Sequence, residues 1–222
     1  MNKKFVLILF PLLFFVSCTL IDSSRIAPGY IEAIKTIKGV IVGYKNDSIT
    51  PELVKDIPYA SSILRIGKGA PGLIILESLS EDEETWVSSD GIYLVFKEGR
   101  IIKTRGLFNN LIGFKSLGIN LKSLIDSKEP ESFTNYYSYD HPKLINMKVS
   151  GQRRFIRKEE IKLLGRIQQL YLIEESFKNS YIGWKGINKF WVDDEMFVWK
   201  STQSISPKLP EFYIEVTKKP AK

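Results

Sequence analysis

The chain has 222 residues, a formal charge of +7, 44% hydrophobic and 12% aromatic content, one cysteine and one histidine. A single cysteine excludes an internal disulfide and thiolate-rich zinc sites, and a single histidine excludes His-based metal clusters. With 26% charged residues beside that apolar content, the chain is not disordered by composition and has material for one sizeable core. No cofactor and no metal are implied.

The first residues read as an address. Lys3 and Lys4 precede an uncharged, mostly apolar run from Phe5 to Val16, a little over half of the roughly 20 residues that a membrane-spanning helix needs. A positive start, a short apolar stretch and small residues make a secretory signal over 1–17. The run ends Phe15-Val16-Ser17-Cys18. This resembles the lipobox of bacterial lipoproteins, with Phe15 where an aliphatic residue is usual and Cys18 as the lipid acceptor. Burial of each acyl CH₂ contributes about 0.8 kcal/mol, and two chains give stable anchoring without a spanning helix. Thr19 rather than Asp after the cysteine resembles the sorting pattern of enteric lipoproteins of the outer membrane. Loss of residues 1–17 removes Lys3 and Lys4 and lowers the formal charge from +7 to +5.

The segment 18–29, with Pro28 near its end, reads as a tether, and 30–222 as a single β-rich domain. Ile31, Ile34 and Ile37 are spaced as in a short helix over Tyr30–Lys38. Thr50-Pro51-Glu52 is a helix start: Thr caps, Pro occupies the first turn and Glu suits the positive end of the dipole. Pro58 ends that helix within two turns.

From Ser61 the pattern becomes β. Ile63–Ile66, Leu73–Leu76 and Ile92–Phe96 are short apolar runs bounded by glycines. Asp90-Gly91, whose turn needs positive φ, predicts a hairpin between Trp86–Ser89 and Ile92–Phe96. Lys97-Glu98-Gly99 turns the chain into a further strand, Arg100–Arg105. Leu107–Asp126 reads as loop or helical turns, and Ser127–Pro142 as a strand or ordered loop. Ile145, Met147 and Val149 alternate against polar neighbours. Lys158–Gln169 reads either as a helix or as two strands broken at Gly165, followed by the apolar run Leu170–Ile173. Phe190–Val192 and Phe197–Trp199 flank a turn at Asp193-Asp194-Glu195. Phe212, Ile214 and Val216 face one side of a half-buried strand. Short strands at this spacing, without a βαβ rhythm, predict a mainly β protein: an antiparallel barrel-like or sandwich domain with a few short helices.

Ile57-Pro58-Tyr59-Ala60-Ser61, Leu64-Arg65, Thr85–Asp90, Gly99–Leu107, Asn188–Asp193 and Val198–Gln203, in that order after a lipobox, resemble one family. It is the bacterial group 4 capsule polysaccharide lipoproteins, the YmcC/YjbF-like family. The resemblance runs from about Ile41 to Val216, departing at Asp194-Glu195-Met196, where a glycine is expected. It implies a mostly antiparallel, barrel-like β protein held on the periplasmic side of the outer membrane and associated with capsule or exopolysaccharide assembly or export. Envelope proteins of that system are the implied partners. No catalytic residues come with the resemblance.

Candidate binding residues are weighed against packing. Trp86, Trp191 and Trp199 lie in or beside strands and read as core. Trp184, in the glycine-bounded stretch Gly183–Gly186, reads equally as a loop ring that stacks on a sugar. Arg65, Arg100 and Arg105 either bind sugar carboxylates through their planar forks or pair within the domain. Asp90 and Asp193 read as turn residues, Asp193 also as an Arg partner. Arg153, Arg154 and Arg157 lie in a basic run from Gln152 to Lys158. A signal peptide argues against nucleic acid as its partner, leaving a solvated strand edge or a contact with anionic glycan or lipid. Glu81–Glu84 and Asp193–Glu195 are the carboxylate clusters a glycosidase route would use. Asp140-His141 lacks a serine in a nucleophile-elbow context. The functional expectation is a non-enzymatic outer-membrane lipoprotein that binds acidic polysaccharide or an envelope partner. The alternatives are a periplasmic glycan-active enzyme and a lipoprotein that only stabilises an outer-membrane partner.

Overall fold

The computed structural model describes residues 49–55, 57–117 and 121–221. The signal peptide, Cys18, the tether and the helix expected over Tyr30–Lys38 lie outside the described residues.

A short helix α1, Pro51–Lys55, begins where Thr50 Oγ1 accepts from Leu53 N at 3.4 Å. The strands β1 (Ser61–Ile66), β2 (Gly72–Ser80), β3 (Glu83–Ser88), β4 (Tyr93–Lys97), β5 (Arg100–Arg105) and β6 (Leu111–Ser116) follow. After the helix α2 (Leu121–Ser127) come β7 (Glu131–Tyr139), β8 (Leu144–Leu163), β9 (Arg166–Asn179), β10 (Trp184–Val192), β11 (Val198–Gln203) and β12 (Phe212–Lys218).

These strands form one 12-stranded antiparallel sheet in the order β5-β4-β3-β2-β1-β12-β11-β10-β9-β8-β7-β6. Each strand pairs with its chain neighbours, with two exceptions. β1 pairs with β12, and β5 and β6, although consecutive in the chain, are the two edges. The sheet curls until those edges face each other, giving a nearly closed barrel with a seam. At one end of the seam Leu111 N donates to Thr104 Oγ1 at 2.9 Å. The expected mainly β, barrel-like architecture is the one observed.

Turn chemistry accounts for the hairpins. Gly91 has φ +82°, and Ser88 Oγ donates to Asp90 Oδ1. Glu98 and Gly99 both have positive φ, 50° and 73°, between the paired residues Lys97 and Arg100, as a two-residue hairpin turn requires. At the β10–β11 turn Asp193 Oδ1 accepts from Glu195 N and Phe197 N, both at 2.9 Å, and Oδ2 from Trp199 Nε1 at 2.8 Å. Asp193 is thus the turn residue, with no arginine partner among the described residues. Met196, at φ +65°, takes the positive-φ role for which a glycine was expected.

Three apolar clusters hold the barrel. The largest fills the interior with Trp86, Leu94, Leu111, Tyr139, Phe177 and Phe212 among others. At one end Leu124 of α2, fully buried, packs on Ile173, Phe190, Val192 and Val198. On the opposite face of β9, Leu170 and Leu172 pack with Leu163, Trp191, Trp199 and Val216. The long β8–β9 hairpin bends at a bulge between Phe155 and Arg157 and reaches β12. There Leu164 N donates to Glu215 Oε1 at 2.6 Å and Arg166 Nη2 to the Val216 carbonyl at 2.7 Å. Each fully buried Leu or Phe in these clusters contributes about 1.5–3 kcal/mol.

Three expectations are corrected or resolved. Leu107–Asp126, read as loop or helical turns, also contains the strand β6. The 158–169 span is two strands joined at Leu164-Gly165. The basic run lies only partly at a sheet edge: Gln152 and Arg153 pair with both β7 and β9, while β8 beyond Arg153 pairs with β9 alone.

Candidate functional site

Alternation along β9 sends Ile173, Glu175, Phe177 and Asn179 to its buried face. Three of these suit a barrel interior; Glu175, at 0% exposure, is a carboxylate that must be compensated. Register supplies partners on both sides, because Arg153 of β8 and Asn188 of β10 both stand opposite Glu175. Arg100 of β5 reaches the same carboxylate. Glu175 Oε1 accepts from the Arg100 and Arg153 guanidiniums, and Oε2 from Asn188 Nδ2 at 3.4 Å. Aromatic rings flank both guanidiniums. Arg100 lies 4.8 Å from the Phe190 centroid and 5.5 Å from Phe114, and Arg153 lies 5.3 Å from Phe133.

Amides brace this layer. Gln203 Oε1 accepts from Ile101 N at 3.0 Å while its Nε2 donates to the Gly99 carbonyl at 2.9 Å. This ties β11 to the backbone on both sides of Arg100. Asn188 Oδ1 accepts from Ser204 N at 2.8 Å. Asn135 Oδ1 accepts from Ser116 Oγ at 2.8 Å, and its buried Nδ2 has no hydrogen-bond partner among the described residues.

Burial pushes the Glu175 carboxyl up, but the charges of Arg100 and Arg153 outweigh it and hold the carboxyl below its ordinary range. Two guanidiniums therefore share one buried carboxylate, and Glu98 and Glu131 add weaker attraction to Arg100 and Arg153 from outside the layer. The layer meets solvent. A cleft of about 410 Å³ opens at the seam, with Arg100, Ile102, Phe114, Ser116, Arg153 and Phe190 on its walls. Lys97, Lys115, Glu83 and Glu98 also line it. Lys97 is paired with Asp82 at 2.5 Å and Glu83 with Lys103 at 3.1 Å.

The candidate arginines separate cleanly. Arg100 and Arg153 are in the charged layer. Arg154 and Arg157 have side chains 59% and 60% exposed and pair with Glu174 at 3.1 Å and Glu159 at 2.6 Å. Arg65 lies 5.0 Å from the Tyr213 ring and Arg105 6.0 Å from the Tyr93 ring, both exposed. The basic run is therefore not one solvated face: Arg153, 3% exposed, points in, while Arg154 and Arg157 point out.

Trp184 is not in a loop. It opens β10, half-buried, with its ring 4.9 Å from Phe177 and 5.5 Å from Tyr137 in edge-to-face contacts. Tyr137 in turn meets Phe114 at 5.1 Å, so an aromatic file runs from the cleft wall to Trp184. Trp86, Trp191 and Trp199 are buried, at 2%, 8% and 8% exposure, as the packing reading expected. His141 sits beside Asp140 with its side chain 83% exposed. Among the described residues no cluster of three His, Cys, Asp or Glu side chains is arranged to hold a metal, and no helix is long and apolar enough to cross a membrane.

Sequence reasoning missed Glu175, Asn188, Gln203 and Asn135. The signal for Glu175 was present: a carboxylate between Ile173 and Phe177 at period two, on a strand whose neighbour carries Arg153. Arg100's part depends on barrel closure, which no local pattern encodes.

Comparison with known proteins fits this architecture. Lipoprotein GfcB of Escherichia coli K12, described as uncharacterized, is 23% identical over 163 residues, covering 72% of this chain and 76% of that protein. Lipoprotein YjbF of the same organism, also uncharacterized, is 21% identical over 168 residues, covering 73% and 77%. The crystal structure of the hypothetical lipoprotein YmcC from Escherichia coli K12 matches with a TM-score of 0.66 at 22% identity, over 79% of this chain and 91% of that one. The last shows a shared fold. The family model described as group 4 capsule polysaccharide lipoprotein GfcB, YjbF matches residues 34–217, and the chain belongs to that family.

Proposed function

We propose that this capsule-related lipoprotein is lipid-anchored at the periplasmic face of the outer membrane and assists capsule or exopolysaccharide assembly or export by binding, not by catalysis. Residues 1–17 are its signal peptide, Cys18 carries the lipid, and 18–29 tether the β-rich domain. Its partners are the membrane through the anchor, envelope proteins of the polysaccharide machinery and acidic polysaccharide; nucleic acid is not among them. The observation that carries the reading is the pair of guanidiniums held on one buried carboxylate at the wall of the seam cleft. The buried carboxylate there is engaged by two arginines, an arrangement that recognises an anion and leaves Glu175 unable to act as acid or base. The family supports the capsule setting.

One observation favours a glycan-active enzyme. Burial pushes the Glu84 carboxyl up despite a hydrogen bond from Trp86 Nε1 at 3.0 Å, and Glu84 lines a second cavity together with Glu98. That cavity is about 80 Å³, well below the roughly 300 Å³ at which small-molecule sites begin.

Affinity purification of the lipidated protein from its native envelope is expected to bring down intact glycan or proteins of its assembly machinery. Cys18→Ala is expected to abolish acyl labelling and leave unprocessed precursor. Shortening of polysaccharide by the purified protein, stopped by Glu84→Gln with binding retained, would replace the binding reading with the enzymatic one.

A further inference from the structure

The chemistry of the seam cleft narrows the ligand. Arg100 donates one hydrogen bond among the described residues, to Glu175. Its side chain keeps 14% of its surface exposed, and it lines the cleft. A guanidinium carries five N–H donors in a planar fork, so Arg100 presents unfilled donors to the cleft. The guanidinium is flanked by the Phe114 and Phe190 rings. Lys115, exposed on the opposite wall and without an ion-pair partner among the described residues, adds a second cation.

The rim argues against a highly charged ligand. Glu83 and Glu98 line the same cleft, and a dianionic phosphate would meet their repulsion. The same two carboxylates, with Ser116 Oγ, are acceptors for hydroxyl groups. Ile102 and Phe114 supply an apolar wall. One anionic group, several hydroxyls and an apolar ring face describe a sugar acid. A volume of about 410 Å³ falls within the roughly 300–1,000 Å³ of small-molecule sites.

We propose that the seam cleft binds a carboxylate-bearing sugar residue of an acidic polysaccharide, with Arg100 gripping the carboxylate and Glu83, Glu98 and Ser116 receiving the hydroxyls. The assignment rests on the glycan-binding reading above and specifies its site and ligand. Arg153 holds Glu175 through Nε and Nη2 and keeps only 3% of its side chain exposed against 14% for Arg100, so the carboxylate of the ligand meets Arg100. A neutral sugar leaves those donors unfilled.

The test is calorimetric titration of the full mature lipoprotein in detergent with oligogalacturonate, with the same oligomer after carboxyl reduction, and with inorganic phosphate. Oligogalacturonate is expected to bind at least tenfold more tightly than its reduced form, and the affinity is expected to fall as salt rises. Arg100→Gln is expected to weaken binding at least tenfold and Arg100→Lys less, because Lys keeps the charge without the planar fork. Lys115→Gln, at an exposed position, is expected to weaken binding severalfold with an unchanged unfolding midpoint, which keeps the test valid should Arg100→Gln not fold. Equal binding of the acidic and reduced oligomers, or binding of neither, overturns the cleft assignment. Glycan recovered with the protein from its native envelope would then leave the wider binding role standing. Phosphate that competes at equal concentration overturns the carboxylate assignment.

Discussion

The inside of this barrel is built in two ways. Around Trp86, Leu94 and Phe212 it is hydrocarbon, with Leu94 and Phe212 wholly buried. Around Glu175 it is two guanidiniums, a carboxylate and the amides of Asn188 and Gln203. The apolar region stabilises by area removed from water, and its worth is proportional to packing. The charged region starts from a desolvation cost that mutual attraction has first to offset. A buried ion cluster is thus a weak device for stability. Here it does something the apolar region cannot: it holds a planar cation, with donors to spare, at the mouth of a cleft.

The largest effect expected from disturbing this contrast comes at Glu175. Glu175→Gln leaves Arg100 and Arg153 buried together without their shared hydrogen-bonded counter-charge, and is expected to cost about 3–5 kcal/mol, read as a lowered urea midpoint with unchanged slope. The same carboxylate gives the charged layer a pH signature. Its folded pKa lies below the ordinary value, so its contribution is fully present above the unfolded carboxyl pKa of about 4.3 and is lost as pH falls through the folded value. Acid titration of stability should show that loss in the native protein and lack it in Glu175→Gln.

Leu94→Ala in the apolar region is expected to cost about 3 kcal/mol through lost transfer energy and a cavity, while leaving oligogalacturonate binding unchanged. A parallel loss of binding in the folded variant would show that the two regions are not separable. Smaller again is Asp193→Ala, which removes the acceptor of the bonds from Glu195 N, Phe197 N and Trp199 Nε1. About 2 kcal/mol is expected, read in thermal unfolding. Arg154→Ser, one residue from Arg153 but on the outer face, is expected to change stability by less than about 0.5 kcal/mol. Arg153→Ser, in the charged layer, is expected to be severely destabilising. That pair of neighbours sharpens the comparison within a single strand.

The two regions were not equally legible. Turns and apolar alternation are local, so the Asp90-Gly91 and Asp193 hairpins, the inward face of β12 and Val149 of β8 could be read directly, whereas Ile145, read on the same face as Val149, is 55% exposed. β6 was missed because Gly113 and Lys115 interrupt its apolar run. Trp184 was misplaced because glycines at 183 and 186 resemble loop boundaries. Gly183, at φ +68°, is indeed a turn residue. Gly186 lies within β10, where a Cβ would come 2.7 Å from the Phe177 ring, so it marks close packing instead. Arg153 was hidden by its basic neighbours, although period two already separates it from Arg154. The charged layer as a whole unites β5, β8, β9 and β10, and that meeting follows from closure of the sheet.

The central claim is that the Arg100–Glu175–Arg153 layer exists for recognition, not for stability. Its most direct test is the triple replacement Arg100→Met, Arg153→Met and Glu175→Leu, which fills the same volume with apolar side chains. Urea unfolding and oligogalacturonate titration are then run on the same preparation. The account predicts stability that is unchanged or raised, by up to about 4 kcal/mol in replacements of this kind, with acidic-glycan binding abolished. A variant that unfolds, or one that folds and still binds the acidic oligomer as the native protein does, would contradict it.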